Sequence, residues 1–240
     1  RIGNERPRLQ DARINGEKGL LNSLGLPGPG VESFIKEIPN SAIWEYGRPL
    51  GISIGGNTVN EYIENIDRIQ PVLQHHTKQY FYEVNISCPN TENGQTICED
   101  PATLNSLLNA LKKSISNPIS IKVSPDVSNE TLAAIGEICS TYDTLLINAG
   151  NTQYKTPDEV GVKQLNFSMD GGGLSGPAIF QRTLEMVSLF SQFNIPIIAT
   201  GGISTFNHVQ VLKAAGASLF GMATALVLDP YCIPRIHSRL

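Results

Sequence analysis

The sequence lacks the features that mark several common classes of protein. Its 18 Lys and Arg residues stand against 22 Asp and Glu, for a formal net charge of −4, so no basic surface for nucleic acid or an anionic membrane is expected. No apolar run approaches the roughly 18 residues of a membrane-spanning helix, and no signal peptide is visible. The chain is therefore expected to be a globular protein without a nucleic-acid-binding or membrane-spanning role.

Cysteine and histidine are also scarce, with four of each in 240 residues. The cysteines form no CxxC pair and no zinc-type spacing, and they are too sparse for a disulfide scaffold. Free thiols in a reducing compartment, the cytoplasm, are predicted, with Cys98, Cys139 and Cys232 in structural positions. No histidine stands in a constellation with carboxylates, so neither a metal site nor a Ser–His triad is predicted.

Short apolar, β-rich runs alternate with longer helical patterns. Strands are predicted at residues 50–54, 80–87, 119–123, 144–148, 195–200 and 218–224. Helices are predicted near residues 58–73, 102–115, 129–140, 177–193 and 205–215. Asp100 before Pro101 and Ser204 are expected to be N-caps, and Gly216 is expected to end the last of these helices.

This alternation indicates a parallel sheet with right-handed crossovers. The chain has no GxGxxG after an early strand, the usual dinucleotide signature of an open doubly wound sheet. Glycines instead follow several late strands, where (β/α)₈ barrels bind phosphate. The prediction is an α/β fold, a (β/α)₈ TIM barrel whose first two strands are missing from the chain. Residues 1–240 are expected to form a single domain that is truncated at both ends, since the chain starts without Met at "RIGNERPRLQ".

Three Gly-rich segments could hold an anion. "IIATGGIS" and "GMATAL" end two late strands, and "DGGGLSGPAI" (170–179) is expected to be a loop that leads into a Pro-started helix. Backbone N–H groups at such glycines can approach a phosphate without obstruction by Cβ. The alternative is a set of tight turns.

A few polar residues interrupt otherwise apolar strands. Lys122 in "ISIKV" is either a strand-end lysine that reaches solvent or a cation for an electron-rich ligand. Asparagines at strand ends serve either as turn residues or as donors and acceptors for a planar polar ligand; Asn85, inside a strand, fits only the second. Cys88 is either a small buried thiol or an acid–base group.

Taken in order, these motifs resemble the flavin-dependent dihydroorotate dehydrogenases along essentially the whole chain. The resemblance rests on "GNERPRL", "LLNSLGLPGPGVE", "PLGISIGG", "EVNISCPNT", "IKVSPD", "INAGNT", "GGLSGPAI", "IIATGGIS" and "GMATAL". It implies a (β/α)₈ barrel with FMN across its C-terminal mouth. A cysteine at position 88 is similar to the class 1 enzymes, so the resemblance implies that Cys88 is the catalytic base.

The resemblance also implies the residues of the site. Substrate binding is assigned to Asn22, Leu24, Gly25, Leu26, Asn85, Asn90, Asn151 and Thr152. FMN binding is assigned to Ser53, Asn85, Lys122, Gly150, Gly176, Gly201, Gly202, Ala223 and Thr224. "NAGNT" leaves Asn148 and Asn151 as alternatives for the substrate asparagine.

The implied reaction is the oxidation of dihydroorotate to orotate in pyrimidine (UMP) synthesis, in which Cys88 removes the C5 proton while a hydride passes from C6 to N5 of FMN. The implied partners are a second copy of the chain and an iron–sulfur flavoprotein subunit, while fumarate, quinone and NAD stay open as acceptors. Two other functions stay open: a related flavin oxidoreductase for another dihydropyrimidine, such as dihydrouracil, and a non-catalytic barrel subunit.

Overall fold

The computed structural model of the protein describes residues 9–25, 28–74, 79–87 and 97–240. Its main element is a parallel sheet of six strands in the order β3-β4-β5-β6-β9-β10. These strands are β3 (Leu50–Ile54), β4 (Tyr80–Asn85), β5 (Ile119–Val123), β6 (Leu145–Ala149), β9 (Ile197–Thr200) and β10 (Leu219–Gly221). Each overlaps one of the six predicted strands, so the predicted parallel α/β fold is confirmed.

Helices lie between the successive parallel strands, as predicted. The described helices are α1 (Gly30–Glu37), α2 (Val59–Leu73), α3 (Pro101–Ser114), α4 (Asn129–Ser140), α5 (Phe180–Phe190), α6 (Phe206–Ala214), α7 (Thr224–Leu228) and α8 (Cys232–His237). Of these, α2 to α6 connect the parallel strands, while α1 precedes β3 and α7 and α8 follow β10. None of the described helices combines the length and the apolarity needed to cross a bilayer. That residues 1–240 form a single domain stays a prediction.

One face of the parallel sheet is apolar and carries the core. Val84, Ile121 and Ile147, from three neighbouring strands, are completely buried. They belong to one hydrophobic cluster with helix residues such as Ile66 and Leu107. Burial of this area between sheet and helices is the main favourable contribution to folding.

The helix caps were predicted correctly in one case and wrongly in another. The Asp100 carboxylate accepts from the backbone N–H groups of Ala102 and Thr103, at 3.0 and 3.2 Å, and so caps α3. The N-cap of α6 is Thr205 rather than Ser204, because the Thr205 hydroxyl accepts from the backbone N–H of His208 at 3.2 Å.

A second, antiparallel sheet was not predicted from the sequence. Its strands are β1 (Leu9–Ile14), β2 (Glu17–Asn22), β7 (Gln153–Lys155) and β8 (Gly172–Ser175), in the order β1-β2-β8-β7. Asn15 and Gly16 join β1 to β2 with φ of 51° and 84°. Positive φ at both central residues is the mark of a tight hairpin turn. The Asn-Gly dipeptide was thus an available signal for this hairpin.

The Gly-rich segment 170–179 belongs to this small sheet, so its prediction as a loop is wrong. It contains β8 and a 3-10 turn, Pro177–Ile179, before α5 begins. A Cβ on Gly172 would stand 2.5 Å from the carbonyl oxygen of Asn22 on the neighbouring strand. The missing side chain is therefore what allows β8 to pair here.

The small sheet lies at the carboxyl ends of the parallel strands. Its strand β7 begins at Gln153, four residues after β6 ends at Ala149. Since sites of parallel α/β folds form at that edge, the second sheet supplies additional walls there.

Candidate active site

The face of the parallel sheet turned away from the helices is polar. Residues paired across neighbouring strands share a face, and the register aligns Asn85 with Lys122 and Lys122 with Asn148. Two residues earlier along β4, Glu83 pairs with Ser53 on β3 and with Ser120 on β5. Period-two alternation puts both rows on one face. Five polar side chains therefore gather next to a lysine on this inner face.

The Glu83 carboxylate, at the centre of this face, contacts side chains from three other strands. One oxygen of Glu83 accepts from the Ser53 hydroxyl at 3.2 Å and lies 3.7 Å from Nζ of Lys122. Its other oxygen accepts from Nδ2 of Asn148 at 2.7 Å. The side chains of Lys122 and Glu83 are 23% and 16% exposed. Lys122 is therefore an inner-face cation with a carboxylate partner, and the solvent-reaching alternative does not hold.

A second hydrogen-bonded chain leads from β4 to the loop after β6. The Ser87 hydroxyl donates to Oδ1 of Asn85 and accepts from Nδ2 of Asn151. Oδ1 of Asn151 in turn accepts from the backbone N–H of Thr152 at 2.8 Å. On the helix side, the Tyr62 hydroxyl donates to the carbonyl oxygen of Asn85 at 2.6 Å. These bonds fix the amides at the mouth of the sheet.

Most of the predicted cofactor residues line one cleft of about 150 Å³ at the ends of β5, β9 and β10. The predicted residues in its wall are Lys122, Asn151, Thr152, Gly176, Gly201, Gly202, Ala223 and Thr224. Ser175 and Thr200 also line it and were not predicted; the Thr224 hydroxyl donates to that of Ser175 at 2.8 Å. The three Gly-rich segments thus meet at one place.

The cleft needs glycine for steric reasons. Gly202 has φ of 71°, and a Cβ there would stand 2.6 Å from the backbone N and Cα of Phe180. Gly176 has φ of 100° and lies against the backbone of the β2 strand at Gly19. Gly150, which does not line this cleft, is needed for packing, because a Cβ on it would overlap the carbonyl oxygen of Thr200.

Some of the remaining predicted residues lie beside a larger cavity of about 700 Å³, between β3, α1 and α2. Gly25, Ser53 and Asn85 line it. Asn22, at the end of β2, donates from its amide to the carbonyl oxygen of Gly173 at 3.1 Å. Leu24 is exposed. The register pair Asn85 and Lys122 joins the two cavities, since one residue lines each.

Three predicted residues, Leu26, Cys88 and Asn90, lie outside the described part of the chain. The base assigned to Cys88 therefore stays a prediction. Cys98, Cys139 and Cys232 are buried, and desolvation raises the pKa of Cys98 and of Cys139 to about 12. Such thiols stay protonated near neutral pH, which agrees with the prediction that they are structural.

The inner face contains three polar side chains whose hydrogen bonding is incomplete. Within the described residues, Oδ1 of Asn148, Oγ of Ser120 and Oγ1 of Thr200 have no hydrogen-bond partner. Buried polar groups are normally paired, so unpaired ones indicate a missing partner. An inner face with free acceptors and a lysine, next to a glycine-lined cleft, fits a planar polar ligand that carries a phosphate, which is the chemistry of FMN.

The comparisons with known proteins identify the family. The family model "Dihydroorotate dehydrogenase" matches residues 1–240. The chain belongs to the dihydroorotate dehydrogenase family. A protein of Aquifex aeolicus, provisionally named dihydroorotate dehydrogenase A (fumarate), is 34% identical over 96% of this chain and 73% of its own length.

Other members of the dihydroorotate dehydrogenase family give the same picture. The catalytic subunit of dihydroorotate dehydrogenase B (NAD(+)) of Anoxybacillus flavithermus is 32% identical over 100% of this chain and 74% of its own length. The crystal structure of the Eimeria tenella enzyme in complex with ferulenol superimposes with a TM-score of 0.78 over 99% of this chain and 70% of that one, at 20% identity. This structural likeness supports the barrel fold.

Sequence reasoning missed Glu83, Ser87, Ser175 and Thr200. The signal for Glu83 was in "YFYEVN", where Tyr80, Tyr82 and Val84 alternate with Phe81, Glu83 and Asn85. Period-two reading puts Glu83 on the face of Asn85, and hence in the site. Ser175 and Thr200 lie beside predicted glycines, but their orientation depends on the tertiary fold.

Proposed function

We propose that the protein is an FMN-dependent dihydroorotate dehydrogenase that oxidises dihydroorotate to orotate in pyrimidine biosynthesis in the cytoplasm. The observation that carries this proposal is the convergence of Lys122, two asparagine-rich strand ends and three glycine-rich segments at one mouth of the sheet. Membership of the family supplies the substrate class, because its named relatives are dihydroorotate dehydrogenases.

The cleft residues would hold FMN. Gly176, Gly201, Gly202, Ala223 and Thr224 would bind the phosphate, since close backbone approach is possible there. Ser53, Asn85, Lys122 and Gly150 would face the ring system. When bound, FMN supplies the acceptor for the hydride that leaves C6 of the substrate.

The chain's own residues would bind the substrate and move its proton. Asn22, Leu24, Gly25, Leu26, Asn85, Asn90, Asn151 and Thr152 would orient the pyrimidine ring and its carboxylate. The Cys88 thiolate would take the C5 proton, so that the C5–C6 double bond forms as the hydride departs. Lys122 would place a positive charge beside the electron-rich ring. Ser87, the residue before Cys88, is tied to both Asn85 and Asn151, which supports a role for this strand end.

One anaerobic experiment tests substrate and cofactor together. The full-length protein, purified with its flavin, should lose its visible flavin absorption when dihydroorotate is added and regain it with the physiological acceptor. Fumarate, a quinone and NAD would be offered in turn. Recovery with NAD only when an iron–sulfur flavoprotein subunit is present would identify that partner. Bleaching by dihydrouracil and not by dihydroorotate would favour the alternative substrate, and the absence of flavin would overturn the proposal.

The base is tested with Cys88→Ala. A general base contributes about 10²–10⁴-fold, so flavin reduction by dihydroorotate should slow by that factor while FMN stays bound. Cys88→Ser should retain weak activity with an optimum at higher pH, since a hydroxyl is a poorer proton acceptor. The matched control is Cys232→Ala, which removes a buried thiol on α8. A wild-type rate of flavin reduction in Cys88→Ala would show that another group takes the proton.

A further inference from the structure

The carboxylate of Glu83 has three polar partners on the inner face of the sheet. Ser53 and Lys122 approach one oxygen, at 3.2 and 3.7 Å, and the amide of Asn148 approaches the other at 2.7 Å. The three partners come from β3 and β5, which flank β4, and from β6, the strand beyond β5. A single side chain of β4 therefore connects four strands of the sheet. We propose that Glu83 is a positioning residue, which orients the Asn148 amide and balances the charge of Lys122 beneath the bound ligand.

The orientation of Asn148 follows from the chemistry of a carboxylate. An ionised carboxylate only accepts hydrogen bonds, whereas an amide has a donor end and an acceptor end. Glu83 therefore fixes the NH₂ group of Asn148 toward itself and turns Oδ1 the other way. That oxygen is buried and has no partner among the described residues. Asn148 lines neither of the two cavities, so its oriented amide belongs to the layer of side chains beneath the ligand, whereas Asn151, whose amide is bonded to Ser87, lines the cleft itself.

The charge of Lys122 is balanced by the same carboxylate. A partly buried ammonium group requires a counter-charge, and the partial exclusion of water from this pair strengthens its effect on any ligand nearby. Because the separation of 3.7 Å exceeds that of a direct hydrogen bond, Glu83 compensates Lys122 without occupying its donors completely. Lys122 thus keeps hydrogen-bonding capacity for the ligand.

Glu83→Gln isolates these effects because it keeps the shape of the side chain and removes its charge. This test rests on the proposed function, in which the ligand is FMN. The site gains one unit of positive charge, which favours the more electron-rich, reduced flavin. We expect the equilibrium constant for reduction of bound FMN to rise about tenfold, which is a positive shift of about 30 mV for a two-electron couple. Glu83→Asp keeps the charge and should stay closer to the wild-type potential.

The matched control is Glu137→Gln, which removes the same charge from the exposed side of α4. The midpoint potentials of the four proteins would be measured by anaerobic titration of the bound flavin. A purely structural role for Glu83 would alter the thermal unfolding midpoint and leave the potential unchanged. Equal potentials in the wild type and Glu83→Gln would therefore overturn the assignment, as would an equal shift in Glu137→Gln.

A second measurement needs neither flavin nor a substitution at Glu83. In the ligand-free wild type, the side-chain NH₂ of Asn148 should exchange its hydrogens more slowly than those of exposed asparagines, because it is bonded to Glu83. Its NMR signal is assigned by its disappearance in Asn148→Asp. Fast exchange would overturn the orienting role. If the purified wild-type protein contained no flavin, the proposed function would be overturned. The role of Glu83 would still be tested, because the exchange measurement does not need flavin.

Discussion

Ile121 and Lys122 are consecutive residues of β5 with opposite roles. Ile121 points to the helices and is completely buried, whereas Lys122 points to the inner face, where it meets Glu83. The same contrast holds in β4, where Val84 is buried in the core and Glu83 bonds to polar partners. In both strands, a residue that packs in the core is therefore adjacent in sequence to a residue that belongs to the candidate site. Substitutions on the two faces should have effects of different kinds.

The largest effect on stability is expected from the outer face. Ile121→Ala should lower the free energy of unfolding by about 2–5 kcal/mol, because it removes buried methyl groups and leaves a cavity in a close-packed core. Chemical denaturation monitored by circular dichroism would measure this loss. Where the variant is folded, its flavin reduction rate should stay near that of the wild type. A loss of reduction rate without a loss of stability would contradict the assignment of the outer face to stability and the inner face to chemistry.

The inner face is tested with Lys122→Met, which keeps a long stem and removes the charge. The loss of one preorganised electrostatic group typically costs about 10²–10³-fold in rate, so flavin reduction by dihydroorotate should slow by that factor. The free energy of unfolding should change less than in Ile121→Ala. Stopped-flow absorbance and denaturation on the same preparation give both numbers. A larger loss of stability than of rate would assign Lys122 to the fold instead.

The smallest effect is expected at His208, on helix α6. Its ring stacks on Phe180 at 4.1 Å and its Nδ1 accepts from the backbone N–H of Ser204, beside the cleft glycines. Desolvation lowers the pKa of His208 from its usual 6.5, although the Gly202 backbone and the Glu17 carboxylate partly oppose this.

The folded protein therefore binds the His208 proton less readily than the unfolded chain does. The stability that depends on the neutral ring is fully present above pH 6.5 and is lost as the pH falls below it, through the lower pKa of the folded state. Thermal unfolding of the wild type should be more acid-sensitive than that of His208→Gln, while His237→Gln on the exposed side of α8 serves as the control. Parallel pH profiles for all three proteins would contradict this expectation.

Local patterns were sufficient for the parallel sheet. All six parallel strands and the helices between them were predicted, because apolar runs and caps such as Asp100 act over a few residues. The Gly-rich segments at Gly176, Gly201 and Gly202, for which the sequence offered an anion site or tight turns, meet at one cleft, since strand ends of a barrel meet at one edge. The cap of α6 was displaced by one residue because Ser204 and Thr205 are both good caps and only backbone geometry chooses between them.

The antiparallel sheet was not predicted, although the turn of its β1–β2 hairpin is local; the pairing of β2 with β8 joins strands that are far apart in sequence. Asn22 of β2 pairs with Gly173 of β8 across 151 positions, and no local pattern reports such a contact. The segment 170–179 looked like a loop since its glycines disfavour strands in isolation. In the folded protein these glycines are necessary, because β8 lies too close to β2 for a side chain at Gly172.

The sequence by itself determined the order of the six parallel strands and of the helices between them, the family and the residue types available for chemistry. Only the tertiary structure decided which of those residues meet. Lys122 was a lone cation in the sequence, and the register of β4, β5 and β6 gave it Glu83 and, through Glu83, Asn148. Register depends on the packing of whole strands against helices rather than on neighbouring residues. That is why the partners of the Glu83 carboxylate became visible only in the fold.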